Sequence, residues 1–414
     1  MADARRRVRA QPTAVGPPRH TLSRADRRRA ERRRRRRRVA GGLLAAVLVV
    51  VVATGVFLGA RLWHSAFRPD TDYAGSGRRD VVIQIHAGDS TTAIGETLRQ
   101  SQVVRTVRAF VGAAYGNPKI ASIQPGYYRM RTEIPASAAV QRLVDPDNRV
   151  GKLVIPEGRQ LDDTTDVQTD ATTPGIFSLI SHATCVDLDG DRRCVPAAGL
   201  RSAAGTATPA ALTVPRWAVD PVLRMGANHR RIEGLIAPGT FDVDPSASPQ
   251  AILSALISAS AVEYVKSGLL DTAADMHRTP YDILVVASLV QREAKPPDFP
   301  KVARVIYNRL ADHRTLEFDS TVNYPLDRQE VATSDADREQ STPWNTYLMA
   351  GLPATPICAP GSEALSAAEH PAPGDWLYFV TIDSQGTTLF TRDYQQHLAN
   401  IELAKHNGVL DSAR

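Results

Sequence analysis

The segment that decides the fold of this chain is 279-TPYDILVVASLVQREAKPPDF-299. Thr279 offers a hydroxyl that caps a helix, and Pro280 suits the first helical turn because proline lacks a backbone N–H. Residues 283–290 are apolar on almost every side, which predicts a helix that is buried on most of its faces. This helix ends on a carboxylate, Glu293, shortly before a proline pair.

Glu293 lies three, four and seven residues after apolar positions on the same helix face. Because its surroundings are partly desolvated, the neutral acid is favoured and we expect a raised pKa. A carboxyl group that titrates near neutrality can both donate and accept a proton. We therefore interpret the helix as a rigid support that presents an acid/base residue at a cleft. The alternative is an ordinary glutamate at a helix end, solvated or paired with Arg292 or Lys295.

Two later segments supply polar and aromatic side chains that suit a sugar-binding groove. Residues 299–324 predict a helix followed by a polar loop, and residues 342–361 form a loop rich in proline and glycine. The flat rings of Trp344 and Tyr347 are suited to stack on pyranose faces, while amides and hydroxyls bind the sugar rims. The candidate substrate-binding residues of the two segments are Asp319, Thr321, Tyr324, Asn345, Thr346 and Tyr347.

The first 60 residues differ in composition from the rest of the chain. Residues 1–38 contain 16 arginines and three acidic residues, a charge of +13, so the remainder carries −7 of the overall +6. Residues 39–60 carry no charge and would extend about 33 Å as a helix, enough to cross a bilayer. The preceding arginines predict a disordered cytoplasmic tail, a single transmembrane helix and an extracytoplasmic body. A cleaved signal peptide and a nucleic-acid-binding tail are the alternatives.

Beyond this apolar stretch the sequence predicts an α+β protein in two parts. Residues 61–80 are a polar linker, and residues 81–150 show the order strand, helix, helix, strand, followed by a short helix. Residues 151–406 are the larger part, with helical spacing at 250–268 and in the segment quoted above. Residues 166–222, rich in Thr, Ala, Pro and Gly, show little periodicity. We predict that they are an insertion with local structure around a pair of cysteines.

The three cysteines and the lack of cofactor motifs narrow the chemistry. Cys185 and Cys194 flank the loop VDLDGDRR, a spacing that can close a small disulfide in an oxidising compartment. Two unpaired thiols are the alternative, and Cys358 is expected to be a free thiol. The sequence contains no G-x-x-x-x-G-K-[ST], H-E-x-x-H or C-x-x-C motif, so we expect neither a cofactor nor a metal.

The chain resembles the YceG-like, MltG-type endolytic murein transglycosylases. The matching blocks cover about residues 230–400, and their order and spacing make the combination specific. The blocks are RIEGLIAPGTFDV at 231–243, SLVQREA with Glu293, VARVIYNRL, LEFDSTVNY, TPWNTY, GLPATPICAPG and the final DWLYFVTIDSQGTTLFTRDYQQHLAN. The module at about 80–145 is similar to the LysM-like domain of the family, and the single N-terminal anchor also fits.

The resemblance implies a peptidoglycan lyase. Such an enzyme cleaves the β-1,4 bond between N-acetylmuramic acid and N-acetylglucosamine within nascent glycan strands, leaves a 1,6-anhydromuramyl end and terminates elongation. Glu293 would be its catalytic acid/base. It would protonate the glycosidic oxygen and then accept the proton of the muramyl 6-hydroxyl as that group closes on the anomeric carbon. This route needs no water nucleophile, so one carboxylate suffices where an ordinary glycosidase uses two.

The resemblance also implies supporting roles for four further residues and a set of binding partners. Glu233 is expected to orient substrate or to pair with an arginine, and Asp319 to hold a sugar or the oxocarbenium charge or, alternatively, to cap a turn. Asn308 and Arg309 are expected to support Glu293 from the neighbouring helix. The implied partners are peptidoglycan glycan strands, the cytoplasmic membrane and peptidoglycan synthases or division proteins, with no nucleic acid.

Four positions depart from the family pattern. The departures are Gly239 for Asp, Ser320 for Pro, Trp344 for Tyr, and Gln291 where an acidic residue is common. None of them removes Glu293.

Two other functions stay open. The first alternative is a non-catalytic peptidoglycan-binding or division scaffold. The second is a hydrolase, in which Asp319 would have to activate water.

Overall fold

In this computed structural model the chain is described over residues 47–59, 72–326, 328–329 and 334–409. The predicted arginine-rich tail, most of the predicted linker and both ends of the predicted membrane span lie outside those ranges. The described residues from 72 onward belong to one compact unit, and residues 47–59 belong to a separate one.

The apolar stretch that the sequence predicts to span a membrane is therefore described only in part. Its described residues form one apolar helix, α1 (Val47–Gly59). Over the ranges given above, no single helix is both long and apolar enough to cross a membrane. One bent helix pair, Pro249–Lys266 with Leu269–Asp275, meets that test by length and composition alone. The membrane anchor stays a prediction.

Residues 80–150 form a small α+β module around a hydrophobic cluster of their own. Its two long strands pair antiparallel, with Ile83 opposite Tyr128. Ser90 and Thr106 cap the two helices by accepting hydrogen bonds from backbone N–H groups three residues later. The elements are β1 (Asp80–Ile85), α2 (Thr91–Gln100), α3 (Val107–Tyr115), β2 (Gly126–Arg131), α4 (Ala136–Val144) and β3 (Arg149–Val150). The predicted order of strand, helix, helix, strand and short helix is confirmed.

The larger part consists mainly of helices, with small sheets at its periphery. Its first elements are β4 (Lys152–Ile155), β5 (Thr164–Asp166), β6 (Thr172–Thr173), α5 (Ile176–Ala183), β7 (Val186–Leu188), β8 (Asp191–Arg193), α6 (Ala197–Thr206), α7 (Val219–Arg224), β9 (Gly239–Asp242), α8 (Pro249–Lys266) and α9 (Leu269–Asp275). They are followed by α10 (Pro280–Glu293), α11 (Phe299–Ala311), α12 (Asp319–Asn323), β10 (Arg328–Gln329), α13 (Asp335–Arg338), α14 (Ser362–Glu369), β11 (Tyr378–Thr381), β12 (Thr388–Thr391) and α15 (Tyr394–His406).

Helix α10 is the predicted buried helix, and it lies at the centre of the larger hydrophobic core. Every residue from 283 to 290 is buried, and the helix packs against α11, α12 and α14. Thr279 and Asp282 form a reciprocal capping box at its start, with Pro280 in the first turn. The helix therefore begins and ends where the sequence predicts, and its burial gives Glu293 a rigid support.

Residues 166–222, predicted to be an insertion with local structure around the cysteine pair, contain more regular structure than their composition indicates. The segment contains helices α5 and α6 and the start of α7, and its apolar side chains belong to the main core. The fully buried ones include Ile176, Phe177, Ile180, Leu200 and Leu212. Helices of six to ten residues separated by Pro, Gly and Thr are too short to establish a clear period in the sequence. Their packing against β4 and α8 decides their burial.

A hairpin of the larger part contacts the small module. Strands β7 and β8 form a hairpin closed by the disulfide Cys185–Cys194, which confirms the predicted pair, while Cys358 is free and buried. Asp189 of this hairpin exchanges backbone-to-carboxylate hydrogen bonds of 2.9 and 3.0 Å with Asp80 of β1. The hairpin thus holds the edge of the small sheet.

Candidate active site

Glu293 is the last residue of α10, and its carboxyl group is half-buried. Burial raises the pKa of Glu293 to about 7, although a hydrogen bond from Ser320 works in the opposite direction. The negative charge of Asp319 also raises this pKa. The carboxyl lies at the negative end of the helix dipole, which likewise disfavours its ionised form. The predicted acid/base character of Glu293 therefore has a local physical cause.

Ser320 provides the direct contact to this carboxyl. Its Oγ donates a hydrogen bond to Glu293 Oε1. Ser320 lies in the first turn of α12, and the turn before it is held in place by Thr346, whose Oγ1 accepts from Phe318 N at 3.1 Å. Thr321 and Thr346 share a further hydrogen bond of 2.8 Å. These bonds fix the α12 turn against the loop at 342–347.

Asp319, Arg338 and Tyr347 form a polar cluster beside Glu293. The guanidinium of Arg338 contacts the Asp319 carboxylate at 3.1 to 3.3 Å, and Tyr347 Oη donates to Asp319 Oδ1 at 2.8 Å. Burial raises the pKa of Tyr347, and the Asp319 charge adds to this effect, so the phenol remains a donor. All three side chains are only partly buried. They form the part of the predicted groove that a ligand can reach.

Asn345 holds two members of this cluster. Its side-chain amide donates to the carbonyl oxygens of Arg338 and Gln340, both at 2.8 Å. Its Oδ1 accepts from the backbone N–H of Tyr347 at 3.0 Å. Asn345 is itself buried and therefore positions the cluster from inside the protein.

Glu233 is buried and joins two separate segments of the chain. Its Oε2 accepts hydrogen bonds from Tyr324 Oη at 2.7 Å and from the backbone N–H of Leu161 at 3.1 Å. Burial raises the pKa of Glu233 to about 7, and these two bonds oppose that rise. Tyr324 follows α12, and Leu161 belongs to the loop after β4. One buried carboxyl thus holds both elements.

For five of the predicted substrate-binding residues, direct substrate contact does not agree with the structure. Each is at most 1% exposed: Glu233, Thr321, Tyr324, Asn345 and Thr346. Trp344 is also buried, and its Nε1 donates to Thr355 Oγ1 at 2.8 Å. Apart from Glu233 Oε1, which is buried without a hydrogen-bond partner, their side chains bond inside the fold, so hydroxyls and amides that resemble sugar ligands in the sequence instead hold the protein together. Asp319 and Tyr347 are the predicted residues that stay accessible.

The expected support of Glu293 by Asn308 and Arg309 is wrong. Asn308 Nδ2 donates to the carbonyl oxygen of Trp376 at 2.9 Å. Arg309 Nε donates to the carbonyl oxygen of Leu377 at 2.7 Å, and its Nη1 donates to that of Leu316 at 2.7 Å. Both side chains therefore fasten α11 to backbone carbonyl oxygens of other segments and not to Glu293.

Sequence reasoning missed Arg338 entirely and treated Ser320 only as a departure from a pattern. Arg338 lies 19 residues after Asp319, with nothing local to indicate the pair. Ser320 lies in the stretch 319–324, where every residue except Val322 offers a hydroxyl, amide or carboxylate. Gly239 has a φ of 150°, a region that strains residues with side chains, so an aspartate would not adopt this backbone unchanged.

Within the described ranges, no group of three or more His, Cys, Asp or Glu side chains is arranged to hold a metal ion. The acidic groups at the site are Glu293, Glu233 and Asp319, and the contacts given above show each of them held by protein donors. The arrangement favours proton transfer by the partly exposed Glu293 carboxyl, because Glu233, whose pKa is also raised to about 7, is fully buried.

Known proteins resemble this chain over most of its length. It is 28% identical over 323 residues to an endolytic murein transglycosylase of Bacillus subtilis, covering 77% of this chain and 82% of the relative. It is 25% identical over 341 residues to an endolytic murein transglycosylase of Streptococcus pneumoniae, covering 79% of this chain. The matched region spans only 58% of the length of that relative.

The fold has a counterpart among solved structures. A crystal structure of a YceG-like protein from Listeria monocytogenes aligns with a TM-score of 0.51 and 24% identity, covering 78% of this chain and 99% of that one. The family model described as the YceG-like family matches residues 83–403, well over half of the sequence. This chain belongs to the YceG-like family.

Proposed function

We propose that this chain is a lytic transglycosylase that cleaves peptidoglycan glycan strands internally, with Glu293 as its one acid/base. The observation that carries the proposal is the Glu293 carboxyl, held by Ser320 at the end of a buried helix with a pKa raised to about 7. Such a group is protonated in a large fraction of molecules at neutral pH and can take a proton back. The names of the relatives from Bacillus and Streptococcus support the same substrate.

In the proposed reaction, Glu293 first donates its proton to the glycosidic oxygen, and the bond from that oxygen to the muramyl anomeric carbon breaks. The N-acetylglucosamine side leaves as an alcohol. The 6-hydroxyl oxygen of the same muramyl residue then bonds to the anomeric carbon and closes the 1,6-anhydro ring. Its proton passes to Glu293, so the acid is regenerated and no water is consumed.

The contacts of Asp319 favour an electrostatic role for this residue over the activation of water. Its oxygens already accept from Arg338 and from Tyr347, so a general base at this position would first have to break those bonds. Its charge lies near Glu293 and can stabilise positive charge that develops on the sugar ring. This favours the lyase over the hydrolase, in which Asp319 would activate water.

The proposal includes the location and the domain organisation. We infer an arginine-rich cytoplasmic tail at 1–38, a membrane helix at 39–60, a linker at 61–80, a LysM-like module at 81–150 that binds glycan, and the catalytic part at 151–406. The positive charge of the tail suits the cytoplasmic side of a membrane with anionic lipids. Peptidoglycan synthases or division proteins are the proposed protein partners.

Mass spectrometry of glycan fragments tests the proposed reaction. Uncrosslinked strands are incubated with the full-length chain and with Glu293→Gln, after circular dichroism has shown matched folding. We expect internal fragments that end in anhydromuramic acid, and we expect the substitution to abolish them. Reducing ends would indicate a hydrolase. Strands that are retained but left intact by the wild-type protein in membranes would favour the scaffold.

A further inference from the structure

A polar cavity of about 300 Å³ lies at the end of α10 and is lined by that helix end and by the loop after β4. Its volume lies at the lower end of the range for small-ligand sites. Gln291 and Arg292, the two residues before Glu293, form one wall. Six of its lining residues are Gly158, Arg159, Gln160, Gln291, Arg292 and Gln329.

Two arginines in this cavity form no salt bridge among the residues that the structure describes, although the charge of Arg292 acts on Glu293. Arg159 is half-buried, and its Nε is shielded from solvent without a hydrogen-bond partner. Arg292 is exposed on the last turn of α10. A buried guanidinium nitrogen without an acceptor costs free energy, which a bound oxyanion would recover.

The acidic residues of the cavity do not neutralise these two arginines. Asp162 already accepts from Arg201 and from His229, each at 2.7 Å, and Arg230 lies 3.2 Å away. Burial raises the pKa of Asp162, but the bonds from His229 and Arg201 outweigh it and lower that pKa to about 2. Glu157 is exposed and forms no ion pair within the described ranges. Arg201 and Arg230, which do not line the cavity, neutralise Asp162, so Arg159 and Arg292 face only the charge of Glu157 and the cavity keeps a net positive charge.

The cavity walls are fixed before any ligand arrives. Gly158 N donates to the carbonyl oxygen of Ala359, and Ala359 N donates to that of Arg159, both at 2.8 Å. Gln291 Oε1 accepts from Gly361 N at 2.8 Å. These bonds hold the backbone of Arg159 and the side chain of Gln291, so little ordering is needed when a ligand binds.

The amide side chains supply the remaining polar groups. Gln329 Nε2 donates to Gln160 Oε1 at 3.0 Å, and Gln160 is 6% exposed. A pair of glutamines can bind the N–H and C=O groups of a short peptide while the arginines bind its charge. This combination suits a carboxylate attached to amide bonds better than it suits a bare sugar.

We propose that this cavity binds a carboxylate of the peptide stem carried by the muramyl residue that Glu293 acts on. The inference rests on the proposed function, because the peptide stem is the anionic part of that substrate. Guanidinium groups bind carboxylates through paired N–H donors, and Arg292 immediately precedes the acid/base in the chain. The cavity would thus select strands that carry stems and place the muramyl residue at Glu293.

The test compares strands that carry peptide stems with the same strands stripped of stems by an amidase, using the full-length chain. We expect a kcat/KM about tenfold or more higher for the stem-bearing strands. In Arg159→Gln this preference should fall about tenfold, mainly through KM, and Arg159→Lys should fall between the two because it keeps the charge and loses the paired donors. Arg192→Gln, an exposed arginine on β8, is the matched control and should keep the preference.

Titration calorimetry gives a second readout that does not depend on cleavage. A soluble muramyl tripeptide is titrated into Glu293→Gln, and we expect binding that Arg159→Gln, in the same background, weakens about tenfold. If Arg159→Gln does not fold by circular dichroism, Arg292→Gln takes its place. Equal cleavage of both strand types by the wild-type protein would overturn the proposal. So would displacement of the tripeptide by pyrophosphate at equal concentration, which would assign the site to phosphate. If the wild-type protein cleaves neither strand type, the proposed function fails, and the titration still decides this inference.

Discussion

At the scale of single residues, the side chain that donates directly to the Glu293 carboxyl is Ser320. A hydroxyl that donates to a carboxylate stabilises its ionised form and holds one oxygen in place. Proline, which the resemblance implies at this position, has no such donor. Ser320 therefore tunes the acid/base residue in this chain.

Replacing Ser320 with alanine should move the pH dependence of cleavage. The reaction needs protonated Glu293, so kcat/KM falls as pH rises through its pKa of about 7. Loss of the Ser320 bond raises this pKa, by about one unit for a bond to a charged group, and the alkaline limb should move up by the same amount. Ser202→Ala, at an exposed position on α6, is the control. An unmoved or lowered limb would show that Ser320 does not act on Glu293.

Glu233 should make the stability of the protein fall as pH rises. Its folded pKa of about 7 lies above the ordinary 4.5, so its contribution is complete below pH 4.5 and is lost as pH rises through about 7. The loss is at most about 3 kcal/mol. Glu233→Gln cannot ionise, so urea unfolding at pH 5 and pH 8 should show a smaller decline than in the wild type. Glu293 also lowers the free energy of unfolding as pH rises, and it does so equally in the wild type and in Glu233→Gln. The effect of Glu233 is therefore the difference between the pH-dependent declines of the two proteins. Parallel pH profiles would contradict the assignment.

At the scale of elements, the site depends on two short segments that pack against the end of α10. The turn before α12 and the loop at 342–347 are joined by Thr321 and Thr346 across 25 residues of sequence. Both threonines are fully buried, so their hydroxyls have no water to replace a lost partner. The position of Ser320 depends on this junction.

Thr346→Val should loosen that junction without changing side-chain volume. It removes the acceptor for Phe318 N and the partner of Thr321, which should lower the free energy of unfolding by about 1–3 kcal/mol. The rate constant kcat should fall as well, because Ser320 and Asp319 lose their support. Urea denaturation and strand cleavage measure the two effects. Thr206→Val, whose hydroxyl is exposed on α6, should change neither. Equal effects of the two substitutions would refute the role of the junction.

At the scale of the whole molecule, the small α+β module and the larger part have separate hydrophobic clusters within one compact unit. Arg149 joins them. Its guanidinium donates to Gln124 Oε1 at 2.6 Å in the module and to Asp242 Oδ1 at 2.9 Å in β9. Strands β4 and β9 pair directly beside this contact, so the module is connected to the sheet that leads into the β4 loop.

Arg149→Ala should uncouple the unfolding of the two parts. The pair is partly buried, so its loss should cost about 1–3 kcal/mol at the junction and should lower the melting temperature of the module more than that of the larger part. Differential scanning calorimetry should then show a broadened or divided transition. Arg216→Ala, away from the junction, is the control. A single transition with unchanged midpoint would show that Arg149 does not couple the two clusters.

The sequence by itself determined the elements that depend on neighbouring residues. The hydroxyl cap, the proline and the continuous apolar run define α10, and the pair of caps and alternating strands defines the module at 80–150. The raised pKa expected for Glu293 followed from its place on that apolar face. These features are local, since each depends on side chains within about one or two helical turns.

Only the tertiary structure decided which polar residues face a ligand and which serve the core. Glu233 and Tyr324 meet across 91 residues, and Asp319 meets Arg338 across 19, through contacts that no local pattern specifies. A hydroxyl or amide is equally stable in water or in a satisfied buried bond, so composition cannot distinguish the two. The same holds for 166–222, where short helices gain their burial only by packing on β4 and α8. Contacts between residues distant in the sequence decide which polar groups are hydrogen-bonded inside the protein and which apolar side chains are buried. A single sequence does not show those contacts.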